Sequence, residues 1–518
     1  MRSTFMGLEA SKRGLFTQQT ALYTTGHNIS NANTLGYSRQ RVNMEATAGF
    51  PAAGLNQPNY PGHLGTGVQA GSIQRIRDEF VDRQFRQETN KLGYWESRSN
   101  AISQMEDIMD EPSQYGLNAA LEQFWKGLQD VSTNPENTAS RKVAMQRAEH
   151  LAESFRYMDK QLKTIQGNLG NEVNVATNRI NSLLKQIAAI NKQVQEVEPN
   201  GHVPNDLYDE RDVLIDELNN YIPVSIKRVE SGGNASAVAE GSLTVVFKPY
   251  GTDKEIELVN GKDYATFEVN GTVANPSGSK QIDGTNLSNM FSSIQVSGLG
   301  STESIAYDDL EPGKGKLLSL IDSYGYDSAG ESKGYYIETL ASLDKLAAEF
   351  AEAFNEMHKK GYDLSGDKND IDFFTTEDGS PITAGNIRVN DDFLNDPSKL
   401  AASSGPNEEG NGKWALELAN IQSKGQASLN GATFNSYYQG MIGKLGTDGE
   451  EAYRLNKTSE TLLVTLSGNR ASVSSVSLDE EMTNMITFQQ AYNANARMIT
   501  VVDETLDKII NGMGRVGL

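Results

Sequence analysis

The sequence predicts a mainly α, elongated, multidomain protein. Its terminal helices form a coiled coil, long helices bundle into a body, and a β-rich domain is inserted as an outer element. Three observations predict this. The last forty residues carry an apolar seam in which Leu478, Met482, Met485, Gln489, Tyr492, Ala496, Ile499, Asp503, Leu506, Ile510 and Met513 step by alternating four and three. The first thirty carry a looser seam, Leu8, Leu15, Leu22 and Ile29, each seven apart. Between them, helical patterning gives way near Pro223 to a Gly-, Ser-, Val- and Thr-rich stretch with short strand-like runs, then returns.

Taken in order, residues 1 to about 30 read as helix, and Gly36 ends it. Residues 36 to 70 are rich in Gly, Pro and Asn, with Pro51, Pro58 and Pro61 as breakers, and form an extended arm. Helix resumes from about Ile73 to Glu111, where Pro112 punctuates it, and again from Gly116 to Val131. A long helix runs from about Ala139 to Glu198. Its first seam is Leu151, Phe155, Met158, Leu162, Ile165 and Leu169; its second is Val173, Ala176, Ile180, Leu183, Ile187, Ile190, Val194 and Val197. Two successive steps of four at the junction, beside Gly167 and Gly170, make a stutter and favour a bend. Pro199-Asn200-Gly201 stops the helix, and a shorter one follows from Asp206 to Tyr221.

Strands are expected at Leu243–Lys248, Glu255–Val259 and Tyr264–Val269, with a hairpin turn at Val269-Asn270-Gly271-Thr272. A helical seam returns at Tyr336, Leu340, Leu343, Ala347, Phe350, Phe354 and Met357. Residues 361 to 412 read as a small loop or β element. The last two helices cover about Thr433 to Asn469, with Phe434, Tyr438, Met441, Leu445, Ala452, Leu455, Leu462 and Leu466 on its seam, and from Ser477, which with Glu480 spells a capping box. The expected division is terminal helices at 1–35 and 477–518, a helical body at 36–222 and 330–476 (arm at 36–72, small element at 361–412), and a β-rich outer insert at 223–329. Such nesting places both termini at one end of the molecule.

Composition limits the chemistry. The 518 residues suffice for three or four domains. A net charge of −22 argues against nucleic acid and against an anionic membrane surface. There is no cysteine, so thiolate chemistry, disulfides and Cys-bound metal are excluded. No run of eighteen apolar residues spans a membrane, and the start Met1-Arg2-Ser3-Thr4-Phe5 has no apolar stretch fit for a Sec signal. The expectation is a cytoplasmic chain, or one exported without a cleaved signal.

Catalytic, cofactor and metal sites are all expected to be absent. His27, His63, His150, His202 and His358 show no metal-ligand spacing. Gly65-Thr66-Gly67-Val68 opens no helix that could hold a phosphate. The acidic run Asp363–Asp372 fails as an EF-hand, because Lys368 stands where the loop needs glycine; it reads as a solvated loop. Interior seams read as ordinary bundle faces. The terminal pair is different: a helix of about 35 residues is ~52 Å long and needs a partner of similar length.

The stretch Thr25 to Gln40, carrying Asn28, Ile29, Ser30, Asn31, Gly36, Tyr37, Ser38 and Arg39, resembles the N-terminal signature of the bacterial flagellar axial proteins, which comprise rod, hook and hook-associated proteins. Asn205, Asp206, Leu207, Tyr208, Asp209, Glu210, Arg211 and Asp212 resemble a segment of the hook–filament junction members. So do Gly361–Gly366 with Asp372-Phe373-Phe374, and Asn386–Asn390 with Asp396-Pro397 and Ala401-Ala402-Ser403. Ser477–Glu481, Phe488–Tyr492 and Ala494–Arg497 are similar to the C-terminal helix of hook and hook-associated proteins.

The resemblance implies a structural role without cofactor: terminal helices as an inner layer, the helical body around it, and the insert outermost. It implies lattice self-assembly into an annular zone between hook and filament. The implied partners are further copies of the chain, hook protein, hook-associated protein 3, the type III export apparatus and an export chaperone on the C-terminal helix. The implied location is extracellular, at the flagellum. The assembly seam would be Leu8, Leu15, Leu22, Ile29, Leu478, Met482, Met485, Tyr492, Ile499, Leu506 and Ile510. Alternatives are another axial protein (hook-associated protein 3 or hook protein), or an enzyme carried in the β insert. The last would need a metal triad or nucleophile constellation between 223 and 412, where His358 is the one histidine.

Overall fold

The computed structural model describes residues 5–50, 65–109, 116–271, 273–274, 280–281, 290–328, 331–368 and 370–512. Pro51, Pro58, Pro61, His63, Pro112, Thr272, Asn369 and Met513 lie outside the described residues. Eleven α-helices are described: α1 (Phe5–Ser30), α2 (Glu79–Met109), α3 (Leu117–Thr133), α4 (Thr138–Val197), α5 (Asn205–Tyr221), α6 (Lys316–Tyr324), α7 (Tyr335–His358), α8 (Asp391–Asn395), α9 (Lys413–Ala419), α10 (Phe434–Ser474) and α11 (Leu478–Asp507).

The spine is α4, 60 residues long. Asn137 caps it by accepting a hydrogen bond from the Ala139 N–H at 2.9 Å. Its predicted seam residues are buried, apart from half-buried Ile165 and Val197, and the helix runs unbroken through the stutter at Gly167 and Gly170. α3, α5, α6 and α7 pack on it. Where α3, α7 and α10 meet, Phe124, Phe350, Phe354, Phe374 and Phe434 form an aromatic core, with ring centroids 5.3 Å apart for Phe124–Phe354 and 5.5 Å for Phe350–Phe434.

α10 lies along α2. Phe434, Tyr438, Leu445 and Ala452 of its predicted seam are buried, whereas Leu462 is exposed. A helix of 3.6 residues per turn drifts off a strict heptad line, and Ser459 takes the inward place further along. The helix expected from Ile73 begins at Glu79 instead. Ile73 belongs to β2 (Val68–Arg75), which pairs antiparallel with β1 (Gln40–Ala46) to make the arm.

The β region contains β3 (Ser225–Val229), β4 (Ser242–Phe247), β5 (Ile256–Asn260), β6 (Asp263–Tyr264), β7 (Thr266–Asn270), β8 (Val273–Ala274), β9 (Lys280–Gln281), β10 (Ser293–Gly298) and β11 (Ser301–Ile305). One sheet has the order β3-β4-β5-β6, another β11-β10-β7, and β8 pairs with β9. The hairpin expected at Val269–Thr272 is not how β7 pairs: its partner is β10. Phe267 and Val269 alternate inward and meet Ile294 and Val296 of β10. That non-local burial outweighs a local turn signal. The tight turn lies between β10 and β11, where Leu299 (φ 51°) and Gly300 (φ 84°) are both left-handed, as a type I′ turn requires.

Within 223–329 the chain also forms α6, buried from Leu317 to Tyr324 against α2 and α4. Short pairs β12 (Tyr326–Ser328) with β13 (Glu331–Lys333), and β14 (Phe374–Thr375) with β15 (Arg388–Val389), complete the sheets.

The small element around β14 and β15 buries His358 among Phe354, Phe373 and Phe393, its Nε2 accepting the Ala401 N–H at 3.1 Å. Burial lowers the imidazole to about 4, with Asp372 opposing and Lys359 assisting. A base held neutral in the fold contributes stability that is complete above its unfolded pKa and is lost as pH falls through the window from about 6.5 to 4, roughly 3 kcal/mol in all. Thermal melts of His358→Gln should lose that part of the pH dependence; an unchanged profile would show that His358 is not its source.

Candidate assembly surface and articulation

α1 and α11 pair antiparallel. A Cβ added at Gly7 would lie 3.9 Å from Val502, one at Gly14 would lie 2.9 Å from the Asn495 side chain, and Asn28 bonds Glu481. At Gly14 the Asn495 side chain lies over the glycine and would have to shift to admit a Cβ. The other side of α1 rests on the arm, where the Thr17 hydroxyl donates to the Val68 carbonyl at 3.2 Å.

This arrangement redistributes the expected seams. On α1 the buried line is Gly14, Thr17, Ala21, Thr24, Thr25 and Asn28, while Leu8, Leu15, Leu22 and Ile29 sit half-buried on its flank. On α11, Met485, Tyr492, Ile499 and Leu506 are half-buried on the side that carries Asn495 and Val502 toward α1. Leu478, Met482 (51% exposed), Ile486 (53%), Val501 and Ile510 (70%) face outward. The C-terminal helix thus carries one apolar line met by α1, and further outward apolar side chains that no other element covers among the described residues.

α11 nonetheless buries one described residue, Glu481. So little burial lets the terminal pair, though ordered in its ground state, open transiently more readily than the helices of the body. Limited proteolysis of dilute monomer should trim roughly the first 30 and last 40 residues and spare the body. Full protection of both ends would contradict this.

Three of the quoted sequence segments, Thr25–Gln40, Asn205–Asp212 and Ser477–Glu481, converge at the base of this pair, whereas those between Gly361 and Ser403 lie in the small element around β14 and β15. Gly36 turns the chain at φ 80°, and a Cβ there would lie 2.2 Å from Val213, so only glycine fits. Asn28 Nδ2 donates to the Gln40 carbonyl (2.8 Å) and to Glu481 (3.1 Å), and its Oδ1 accepts from the Tyr37 hydroxyl (2.8 Å) and the Gln40 N–H (3.0 Å). Ser30 and Asn31 bond back to the Gly26 and His27 carbonyls and close the helix. Gln40 reaches Asp206 (2.9 Å) and Asn205 (3.2 Å) on α5, and the Ser38 N–H donates to Asp209 at 2.9 Å. Leu207 packs on the apolar cluster of Ile190, Val194 and Tyr208.

Arg39 ties the C-terminal helix to this network through Glu480 (2.7 Å) and Glu481 (2.8 Å). The predicted capping box is therefore absent: Ser477 makes no side-chain cap and Glu480 is committed to Arg39.

Behind it lies a set of buried or partly buried ion pairs. Arg75 bonds Asp209 (2.7 Å), Asp212 (2.9 Å) and Glu240 (2.5 Å). Arg77 bonds Asp212 (2.5 Å) and Asp82 (2.9 Å). Arg86 bonds Asp212 (3.0 Å) and Asp216 (2.6 Å), and Arg470 of α10 bonds Asp82 (2.9 Å) and Asp216 (2.6 Å). Arg211, fully buried, donates to the Gly241 carbonyl at 2.8 Å and faces Glu240. Burial pushes the Asp212 carboxyl up, but Arg77, Arg75, Arg86 and Arg211 hold it well below the usual carboxylate range. Burial pushes Asp209 up, against the pull of Arg75. The hub joins arm, α2, α5, α10 and the insert.

Asp209, Arg211 and Asp212 were legible from the sequence segment; Arg75, Arg77, Arg86, Asp216, Glu240 and Arg470 were not. Their one signal is spacing, since Asp82 and Arg86, like Asp212 and Asp216, lie four apart on one helix face.

Among the described residues, no group of three or more His, Cys, Asp or Glu could hold a metal, and no helix is long and apolar enough to cross a membrane.

The chain is 42% identical to flagellar hook-associated protein 1 of Bacillus subtilis, over 99% of both chains. The chain belongs to the flagellar hook-associated protein 1 family. Residues 102–374 match the flagellar hook-associated protein FlgK helical domain, and residues 469–512 the flagellar basal body rod FlgEFG protein C-terminal family. The Escherichia coli protein of the same name is 24% identical over 96% of this chain and 98% of its own. The fold is shared with the flagellar hook junction protein FlgK from Burkholderia pseudomallei, at a TM-score of 0.60 and 14% identity, covering 76% of this chain and all of that one. The chain is therefore a structural axial protein of the bacterial flagellum, assembled with other axial components.

Proposed function

We propose that this protein joins the hook to the filament by lattice self-assembly through its terminal helices. One observation carries the proposal: the outward apolar side chains Leu478, Met482, Ile486 and Val501 on α11 are half exposed, and among the described residues no element covers them. Exposed apolar side chains at both ends of a helix of this length call for a further helix against each. In this reading 1–35 and 477–518 form the inner coiled-coil layer, 36–222 and 330–476 the body, and 223–329 the outer insert.

Neighbouring copies cover what the α1–α11 pair leaves exposed along the seam of Leu8, Leu15, Leu22, Ile29, Leu478, Met482, Met485, Tyr492, Ile499, Leu506 and Ile510. Hook protein lies on one side and hook-associated protein 3 on the other. The chain reaches this extracellular position through the type III export apparatus, with a chaperone shielding the C-terminal helix beforehand. The test is a strain lacking the protein. It should build hooks but shed filament protein into the medium, whereas attached filaments of normal length would contradict the proposal.

A further inference from the structure

The connection between α10 and α11 is three residues long, Ser475 to Ser477, and Ser477 supplies no side-chain cap. Such a link would allow the terminal pair to swing against the body. Apolar packing does not fix the base of α11, because the single buried residue among its described positions is a carboxylate, Glu481, 2% exposed.

Glu481 accepts from Asn28 at the end of α1 (3.1 Å) and from Arg39 Nε at the root of the arm (2.8 Å). The Arg39 N–H donates to the Ser474 carbonyl at 2.9 Å, so the same residue also grips the last turn of α10. Both flanks are anchored independently: Arg470 pins α10 to Asp82 and Asp216, and the Ser38 N–H pins the arm to Asp209. The terminal pair and the arm therefore meet at one carboxylate, and Arg39 carries the link on to α10.

We propose that Glu481 is the positioning residue that sets the angle between the terminal helix pair and the body, acting through Arg39 and Asn28. A carboxylate out of water needs donors of fixed direction, and here those donors come from two different elements. Their geometry admits one orientation of α11, whereas a greasy contact would admit sliding. Glu480, exposed and bound to Arg39 alone, adds little to this.

The experiment uses the full-length monomer, which has no native cysteine to interfere with spin labels. Pulsed electron–electron distances are read between labels at Lys185→Cys on α4 and Thr487→Cys on α11. Control pairs are Lys185→Cys with Glu352→Cys inside the body, and Gln19→Cys with Thr487→Cys across the terminal pair. The parent should give one narrow distribution for all three. Glu481→Gln and Arg39→Gln should each widen the first at least about twofold and leave both controls narrow, the double variant being no wider than either single. Glu480→Gln should leave the first distribution unchanged.

An unchanged Glu481→Gln distribution overturns the proposal, as does equal widening by Glu480→Gln. Widening of a control overturns it too, since Glu481 would then hold the helix pair or the body together and not set their angle. Because this is read on isolated monomers, its failure leaves the assembly reading standing.

Discussion

Asp212→Asn destabilises the body by about 3–5 kcal/mol, the cost of removing one partner from a buried charge cluster. Asp212 receives hydrogen bonds from Arg75, Arg77 and Arg86, which arrive from the arm, the arm–α2 connection and α2 itself. Its loss leaves three guanidiniums sharing the remaining carboxylates in a site closed to water. Denaturant unfolding followed by fluorescence of Trp95, Trp125 and Trp414, all in the body, measures the effect. A loss under about 1 kcal/mol would make the hub a surface-like network of little energetic weight.

The same residue sets a pH dependence. Its folded pKa is depressed, so its stabilisation is present above the unfolded value near 4 and is lost only as pH falls through the lower folded value. The parent should therefore lose the His358 contribution first on acidification and the hub contribution below about pH 4, and Asp212→Asn should lack the second loss.

Ile499→Asp or Leu506→Asp leaves the body folded but stops incorporation at the hook tip. Both residues are half-buried on the side of α11 that meets α1. A carboxylate there costs at least about 1–3 kcal/mol at every copy. At about 1.4 kcal/mol per factor of ten, assembly should fall by about fivefold to a hundredfold. Quantitative immunodetection on purified hooks, with tryptophan fluorescence as the folding control, separates failed assembly from misfolding. Normal incorporation of either variant would count against the terminal seam.

Much of this architecture is readable from the sequence, for identifiable reasons. α4 was legible because sixty residues of periodic burial leave a repeated pattern, and its predicted seam matches the buried face. The body helices follow for the same reason. The start of α2 was misplaced because Ile73 fits either period, and only pairing with Val42 makes it a strand. The pairing of β7 with β10 joins residues far apart in sequence, which local turn propensity does not encode.

At the site, the signature residues Asn28, Gly36, Tyr37, Ser38 and Arg39 could be recognised, but not what they do. Asn28 meets Glu481 across 453 positions of chain. The leucine seam on α1 shows the same limit. Leucine spacing marked a flank, while the tight face is built from Gly14, Thr17, Ala21 and Thr24, small residues that hydropathy patterns pass over.

The central claim is that the outward line of α11 is covered by neighbouring copies. Thiol labelling at Ile486→Cys tests it most directly, because the chain has no other cysteine and this position is 53% exposed in the isolated molecule. The account predicts rapid labelling of the monomer and protection in assembled hook–filament junctions. Equal labelling in both states would contradict it.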